Sequence, residues 1–430
     1  MLKKKRGTPK NTIIPRKRRQ TSKPKSVIHA SPPVTIKTPF VINRSVPMRI
    51  LMVLDQLNIG GTETYTLSVT RELIKKGVFV VIACKKGKLR EHFLGLGCPV
   101  YEIDFVLDNY ELDYQNRIKN LELLKSVISS EQIDLVHCHQ VPSGSLALLA
   151  AKQMHIPCVF TVHGTYYDMD ILESLQRGST ITCVSPSIKR LLLSKGIDTK
   201  VISNGIDNHE YHKYGPAYLQ HFRTKLGLSR DAIVVLYAGR LSWEKGEICE
   251  EIIHTVDSLR KNGYSHLHLI IAGGGNKQQD ILELIDKKHH LINEHFIHYV
   301  GEITNMGVYY SISDCVIGTG RVALEAMSCE RPVIAVGTKG FLGIVNPDKY
   351  EKAWDSWFGD HDDDNKCSRA MLTSHLRELI TMEANAKSHL VHSGKQFVTQ
   401  RFPISQTAES LMSIYLRSII EDNYNYIAQQ

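Results

Sequence analysis

No apolar run in this 430-residue sequence approaches the ~20 residues that a membrane-spanning helix requires. Val78 to Cys84 reads as a buried strand instead. The basic start lacks an apolar core and a small-residue cleavage site, so no secretory signal is expected and a cytoplasmic location is. The nine cysteines, at 84, 98, 138, 158, 183, 249, 315, 329 and 367, include no C-x-x-C pair. That pattern argues against both zinc knuckles and a disulfide framework and fits a reducing compartment. Acidic residues are missing from residues 1–47, which hold 13 Lys or Arg and seven prolines. The remainder carries 40 basic against 44 acidic residues, a balance of −4, so the net charge of +9 resides in the tail. This distribution argues against a nucleic-acid-binding fold and for an appended polybasic arm.

With almost no apolar periodicity, residues 1–47 cannot bury enough surface to offset their ordering entropy, and a disordered tail is expected. It is either a solubilising extension or a tether to an anionic surface or polymer. From Met48 the pattern changes. Strand Arg49–Asp55, Gly60-Gly61, a helix over 62–76 and strand 78–84 form a strand–helix–strand unit, which implies a parallel sheet. Strands follow at 135–139, 158–162, 180–184 and 200–203, with a helix over 145–154. Residues 209–230 read as a linker. A second alternating series starts at Ile233 and includes helix 247–261, strands 267–272, 297–300 and 315–317, helix 322–329 and strand 332–336. The expected fold is therefore α/β, with two tandem Rossmann-like doubly wound parallel-sheet domains and a central cleft. Its domains are a tail (1–47), an N-terminal Rossmann-like domain (48–225), a C-terminal Rossmann-like domain (226–405) and a terminal helix (406–430) packing back on the first domain.

Three constellations carry chemistry. Gly60-Gly61 precedes a helix N-terminus, where missing Cβ atoms permit close backbone approach and the helix dipole favours an anion. Arg240 and Lys245 lie in the loop leaving strand 233–238, where a guanidinium fork and a compact ammonium suit a diphosphate. Gly318 and Gly320 bend the chain from strand into helix, and Glu325, within that helix's first two turns, can accept hydrogen bonds from both ribose hydroxyls. Gly318-x-Gly320-x-x-Ala323 also matches a dinucleotide fingerprint. That motif belongs on a domain's first strand with an acid at the end of the next, and both conditions fail here. His137 and His139 alternate faces of a strand, which should separate them and disfavours a metal site. The acidic run 360–364 reads as an exposed loop.

In order along the chain stand Gly60-Gly61, Val136-His137-Cys138-His139, Thr161-Val162-His163-Gly164, the run Val201 to Asp207 ending Asn204-Gly205-Ile206-Asp207, Gly239-Arg240…Lys245-Gly246 and Leu324-Glu325-Ala326-Met327. This series resembles the retaining glycosyltransferases of family 4 with the GT-B fold, including spore-coat-associated Bacillus-type members. The resemblance spans Met48 to about Tyr415. It implies that Arg240 and Lys245 hold the donor diphosphate and Glu325 the ribose. Gly60 and Gly61 would border phosphate and acceptor, and His163 would face the transferring sugar. It also implies catalysis with neither metal nor cofactor, the cations and helix dipoles stabilising the leaving diphosphate. One position departs from the family pattern. Eight residues before the ribose-binding acid, where a second glutamate contacts the donor sugar, stands Ile317. The Gly318 to Gly320 backbone donors are kept. Residues 341–360, with Trp354 and Trp357, depart as well.

The expected activity is transfer of a sugar from a nucleoside diphosphate, uridine-linked, to an acceptor of unassigned identity with retention. The expected setting is cytoplasmic, peripheral to a membrane or spore coat. Two other readings share the architecture: a sugar-nucleotide 2-epimerase, and a non-catalytic coat-type protein that uses its tail for assembly.

Overall fold

The computed structural model describes residues 47–105, 114–361 and 365–428. Nearly all of the basic tail and three residues of the acidic run, 362–364, lie outside the described residues. The first sheet contains β1 (Arg49–Gln56), β2 (Phe79–Lys85), β3 (Val100–Glu102), β4 (Leu135–Cys138), β5 (Cys158–Val162), β6 (Thr180–Cys183) and β7 (Lys200–Val201). They pair in the order β3-β2-β1-β4-β5-β6-β7, every pair parallel. The second contains β8 (Ile233–Ala238), β9 (Leu267–Ala272), β10 (Ile297–Gly301), β11 (Cys315–Gly318), β12 (Val333–Val336) and β13 (Phe341–Ile344), ordered β10-β9-β8-β11-β12-β13. It too is parallel, except that β13 runs antiparallel to β12.

The composition of the strands explains this layering. β1 reads RILMVLDQ with Ile50 to Val53 fully buried, as a strand covered by helices on both faces must be. One face packs Leu51 and Val53 with Val136 and Phe160, while the other packs Ile50 and Met52 with Leu411 and Tyr415. Those last two belong to the terminal helix Ile404–Ala428, which lies against helix Gly61–Lys75 of the first domain.

Several expected elements are displaced. The segment 209–230, read as linker, contains helix Pro216–Lys225, which has no fully buried residue and packs on the second core only through the short stripe Leu219, Phe222 and Leu226. Helix Trp243–Lys261 begins before the expected residue 247, and helix Ser143–Gln153 before 145. Among the described residues no helix is long and apolar enough to cross a membrane. The cysteines are all unpaired, eight of them buried.

Candidate active site

Each sheet reverses its winding between two central neighbours, β1 and β4 in one and β8 and β11 in the other. In sheets of this kind a ligand crevice opens beyond the strand carboxyl ends at that reversal. Gly60 follows β1 and is the N-cap of helix Gly61–Lys75. Arg240 follows β8, Gly318 ends β11, and Gly320 is the N-cap of helix Arg321–Ser328. Lys245 is not in a loop, as the spacing suggested, but in the first turn of helix Trp243–Lys261.

Three helix N-termini thus meet this edge, and no side chain caps any of them. Ser242 is well suited to capping, yet its hydroxyl accepts the Asn276 amide at 3.1 Å instead. First-turn amides left open at the positive end of a helix dipole suit an anion. Gly320 sits at φ 55°, and a Cβ there would stand 2.6 Å from Trp357 Nε1, so a side chain would displace the indole.

Charged groups line the walls. Glu63, buried in the first turn of its helix, accepts from Gln140 Nε2 at 2.7 Å. Burial raises its carboxyl, and Arg240 lies within electrostatic reach across the cleft. Lys245 Nζ pairs with Asp360 Oδ2 at 2.8 Å. Asp360 is therefore not part of an exposed loop: burial opposes its ionisation, but Lys245, His361 and the Thr338 amide together lower its carboxyl. His361 beside it reaches the first domain, its Nδ1 lying 3.0 Å from Ser185 Oγ.

Glu325 is buried rather than exposed at a helix start. Its Oε1 accepts from Arg321 Nε at 3.0 Å, with Nη2 at an ion-pair distance of 2.9 Å but not hydrogen-bonded, and its Oε2 accepts the Tyr310 hydroxyl at 2.8 Å. Burial raises its carboxyl despite Arg321. Arg321 also donates to the Gly205 carbonyl at 3.2 Å, joining the second domain to the Asn204-Gly205 turn. Sequence reasoning missed Arg321, although a cation one residue past a Gly-x-Gly turn was a visible signal. Ile317 is fully buried in the core with Val235, Tyr237, Ile271 and Ile334, an ordinary sheet residue.

The histidines also differ from expectation. β4 ends at Cys138, so face alternation does not extend to His139, and the His137 and His139 rings lie 4.1 Å apart. Both His137 nitrogens are engaged, Nδ1 with Tyr415 Oη at 2.6 Å and Nε2 with Thr161 Oγ1 at 2.7 Å. His139 Nδ1 faces His163 Nε2 at 3.2 Å, and Tyr65 stands edge-on to both of those rings. Burial pushes His137 down to about 3 and holds His139 and His163 well below the usual range, so all three are neutral near pH 7. The Tyr65 hydroxyl and His139 Nε2 are buried without a hydrogen-bond partner among the described residues. No group of three or more His, Cys, Asp or Glu among the described residues is placed to hold a metal ion.

Comparison with known proteins matches the model "Glycosyltransferase Family 4" over residues 59–210 and "Glycosyl transferases group 1" over 220–372. EpsD of Bacillus subtilis, a glycosyltransferase by name, is 27% identical over 247 residues, 52% of this chain. That alignment spans 63% of EpsD, less than two thirds of its length. Among solved structures, Anabaena HepE in complex with UDP and glucose superposes with a TM-score of 0.66 at 18% identity, covering 85% of this chain and 99% of HepE. The UDP-GlcNAc 2-epimerase of Neisseria meningitidis, bound to UDP-GlcNAc, gives 0.56 at 15% identity, covering 86% and 100%. The two family matches fall on the two Rossmann-like sheets described above, and the chain belongs to the family 4 glycosyltransferases with the GT-B fold.

Proposed function

We propose that the chain moves a hexosyl group from a uridine diphosphate sugar to an acceptor with retention at the anomeric carbon, without a metal or cofactor. The observation that carries this reading is Arg240 beyond β8, within electrostatic reach of Glu63 in the first turn of the uncapped helix behind Gly60, with Lys245 in the uncapped first turn of the helix that follows β8. A diphosphate lying there meets two cations and uncapped backbone amides, which stabilise the charge that grows as the glycosidic bond breaks. Between the domains a pocket of about 380 Å³, lined by Ile59, Lys88, Glu302, Ile303, Asn305 and Tyr309, offers a place for the base. HepE, seen with UDP and glucose, shares the fold and supports a uridine-linked donor. Neutral His163 faces the sugar from the first domain, where it can accept a hydrogen bond without adding charge.

A second reading follows from the epimerase neighbour, whose fold is the same. Incubation with UDP-glucose and UDP-GlcNAc separates the two. Transfer or slow hydrolysis releases UDP, whereas epimerisation at C2 alone leaves the nucleotide sugar intact. Binding itself is read by thermal shift, since a ligand at 100 times its dissociation constant adds about 2.7 kcal/mol. Failure of every nucleotide sugar to shift the transition would leave the coat-type structural reading. The acceptor, in this proposal, is a cell-envelope or coat glycan, protein or lipid, approached through the basic tail.

A further inference from the structure

After helix Tyr350–Asp355 the chain runs through Trp357, Phe358 and Gly359 at φ 52°, 56° and 88°. Left-handed backbone at two successive bulky residues is costly and persists only where surrounding contacts hold it. Those contacts are present. Thr319 Oγ1, in the turn after β11, donates to the carbonyls of Trp357 at 3.1 Å and Phe358 at 2.8 Å. The amides of Lys339 and Gly340 both reach the Gly359 carbonyl, at 3.1 and 2.9 Å. A Cβ on Gly337 would stand 2.2 Å from that same oxygen, so the strap lies directly on the turn after β12. His361 ties its far end to Ser185 of the first domain. Asp360 is thereby fixed between two anchors.

Its carboxylate has one ion-pair partner, with the Thr338 amide lowering its pKa as well. Oδ2 takes Lys245, while Oδ1 is buried with no hydrogen-bond partner among the described residues. Around it stand Lys245, His361, the Thr338 amide and, within electrostatic reach, the Tyr166 hydroxyl. A buried carboxylate oxygen wants a donor. Diphosphate oxygens donate nothing and are repelled by it, whereas sugar hydroxyls donate. The two positions where the family pattern places acids do not offer this. β11 presents apolar Ile317, and Glu325 is occupied by Arg321 and Tyr310.

We infer that Asp360 is the carboxylate that receives hydroxyls of the donor sugar, set beside Lys245 by the Trp357–His361 strap so that it marks where diphosphate ends and sugar begins. The inference rests on the donor reading above. It makes Asp360 a residue that distinguishes a nucleotide sugar from the bare nucleotide.

The test titrates wild type, Asp360→Asn and Asp360→Ala with UDP, UDP-glucose and UDP-GlcNAc. UDP affinity should stay within about threefold or tighten as Lys245 is released. Affinity for the sugar nucleotide that wild type prefers should fall at least tenfold relative to UDP. An equal loss for UDP and UDP-sugar would show that Asp360 acts only through Lys245 and overturn the inference, as would no change in either. Should the single variants unfold, Lys245→Met and Lys245→Met/Asp360→Ala are compared. The double variant leaves no unpaired buried charge and should lose the preference relative to UDP that the single Lys245 variant retains; an unchanged preference overturns the inference. A wild-type protein that binds none of the three ligands sinks the donor reading and this inference with it. Binding that is insensitive to Asp360 sinks the inference alone.

Discussion

Glu325→Gln should destabilise the second domain, because the carboxylate is the counter-charge of a buried arginine. The Arg321 and Glu325 side chains are only 5% and 7% exposed, joined at 2.9 Å, with the Tyr310 hydroxyl on the other oxygen at 2.8 Å. Removing one member of a buried pair costs about 3–5 kcal/mol, since the survivor stays charged in a low-dielectric setting. Glutamine keeps one acceptor oxygen, which places the expected loss near the lower bound, about 3 kcal/mol. At roughly 2–4 °C per kcal/mol for a domain of this size, the melting temperature should fall by about 6–12 °C. The paired variant Arg321→Met/Glu325→Leu removes both charges and should recover much of that loss, because well-packed apolar replacements of buried pairs are often neutral. Thermal and urea unfolding of the three proteins reads the effect. A Glu325→Gln protein melting within about 2 °C of wild type would refute the buried-pair account. It would leave the carboxylate free for the ribose role that the family resemblance implies.

Ile317→Glu should unfold the second sheet or lower its stability by several kcal/mol, the scale expected when an unpaired charge enters an apolar core; a stable variant with raised donor hydrolysis would show a decayed sugar site instead. Acid should weaken the fold. The folded-state values of His137, His139, His163 and His361 lie below the unfolded value near 6.5, so their stabilisation is present above that pH and is lost as pH falls toward about 4. Each contributes up to about 1.4 kcal/mol per pH unit, and urea midpoints that stay flat from pH 7 to 4.5 would contradict the burial of neutral imidazoles. Deleting residues 1–47 should leave nucleotide binding and unfolding unchanged while abolishing salt-sensitive attachment to anionic vesicles; equal attachment with and without the tail would remove the tether reading.

Much of the architecture was legible because parallel strands buried on both faces read as short apolar runs, as β1, β8 and β9 do. Three-residue β3 and antiparallel β13 were not, being too short or too irregular in sequence to stand out. Gly60-Gly61, Arg240 and Gly318 could be placed because each directly follows an apolar strand. The contacts that define the cleft interior were not legible, since they depend on distances across the fold. Asp360 meets Lys245 across 115 positions, and His361 meets Ser185 across 176. Among acidic neighbours Asp360 reads as solvated loop; only the left-handed turn at Trp357 to Gly359 carries it to the lysine. His139 was misplaced for a simpler reason, since β4 stops one residue before it.

The central claim is that Arg240, at the edge of β8, holds a nucleotide diphosphate. Calorimetric titration of wild type and Arg240→Ala with UDP tests it most directly, because Arg240 leaves no buried partner charge as obligate as the one Lys245 leaves on Asp360. A charged hydrogen bond contributes about 1.5–3 kcal/mol, so affinity should fall roughly 10- to 150-fold while the melting temperature stays within about 2 °C. Wild type that fails to bind UDP or any UDP-sugar at millimolar concentration, or a variant that binds as tightly as wild type, would contradict the account.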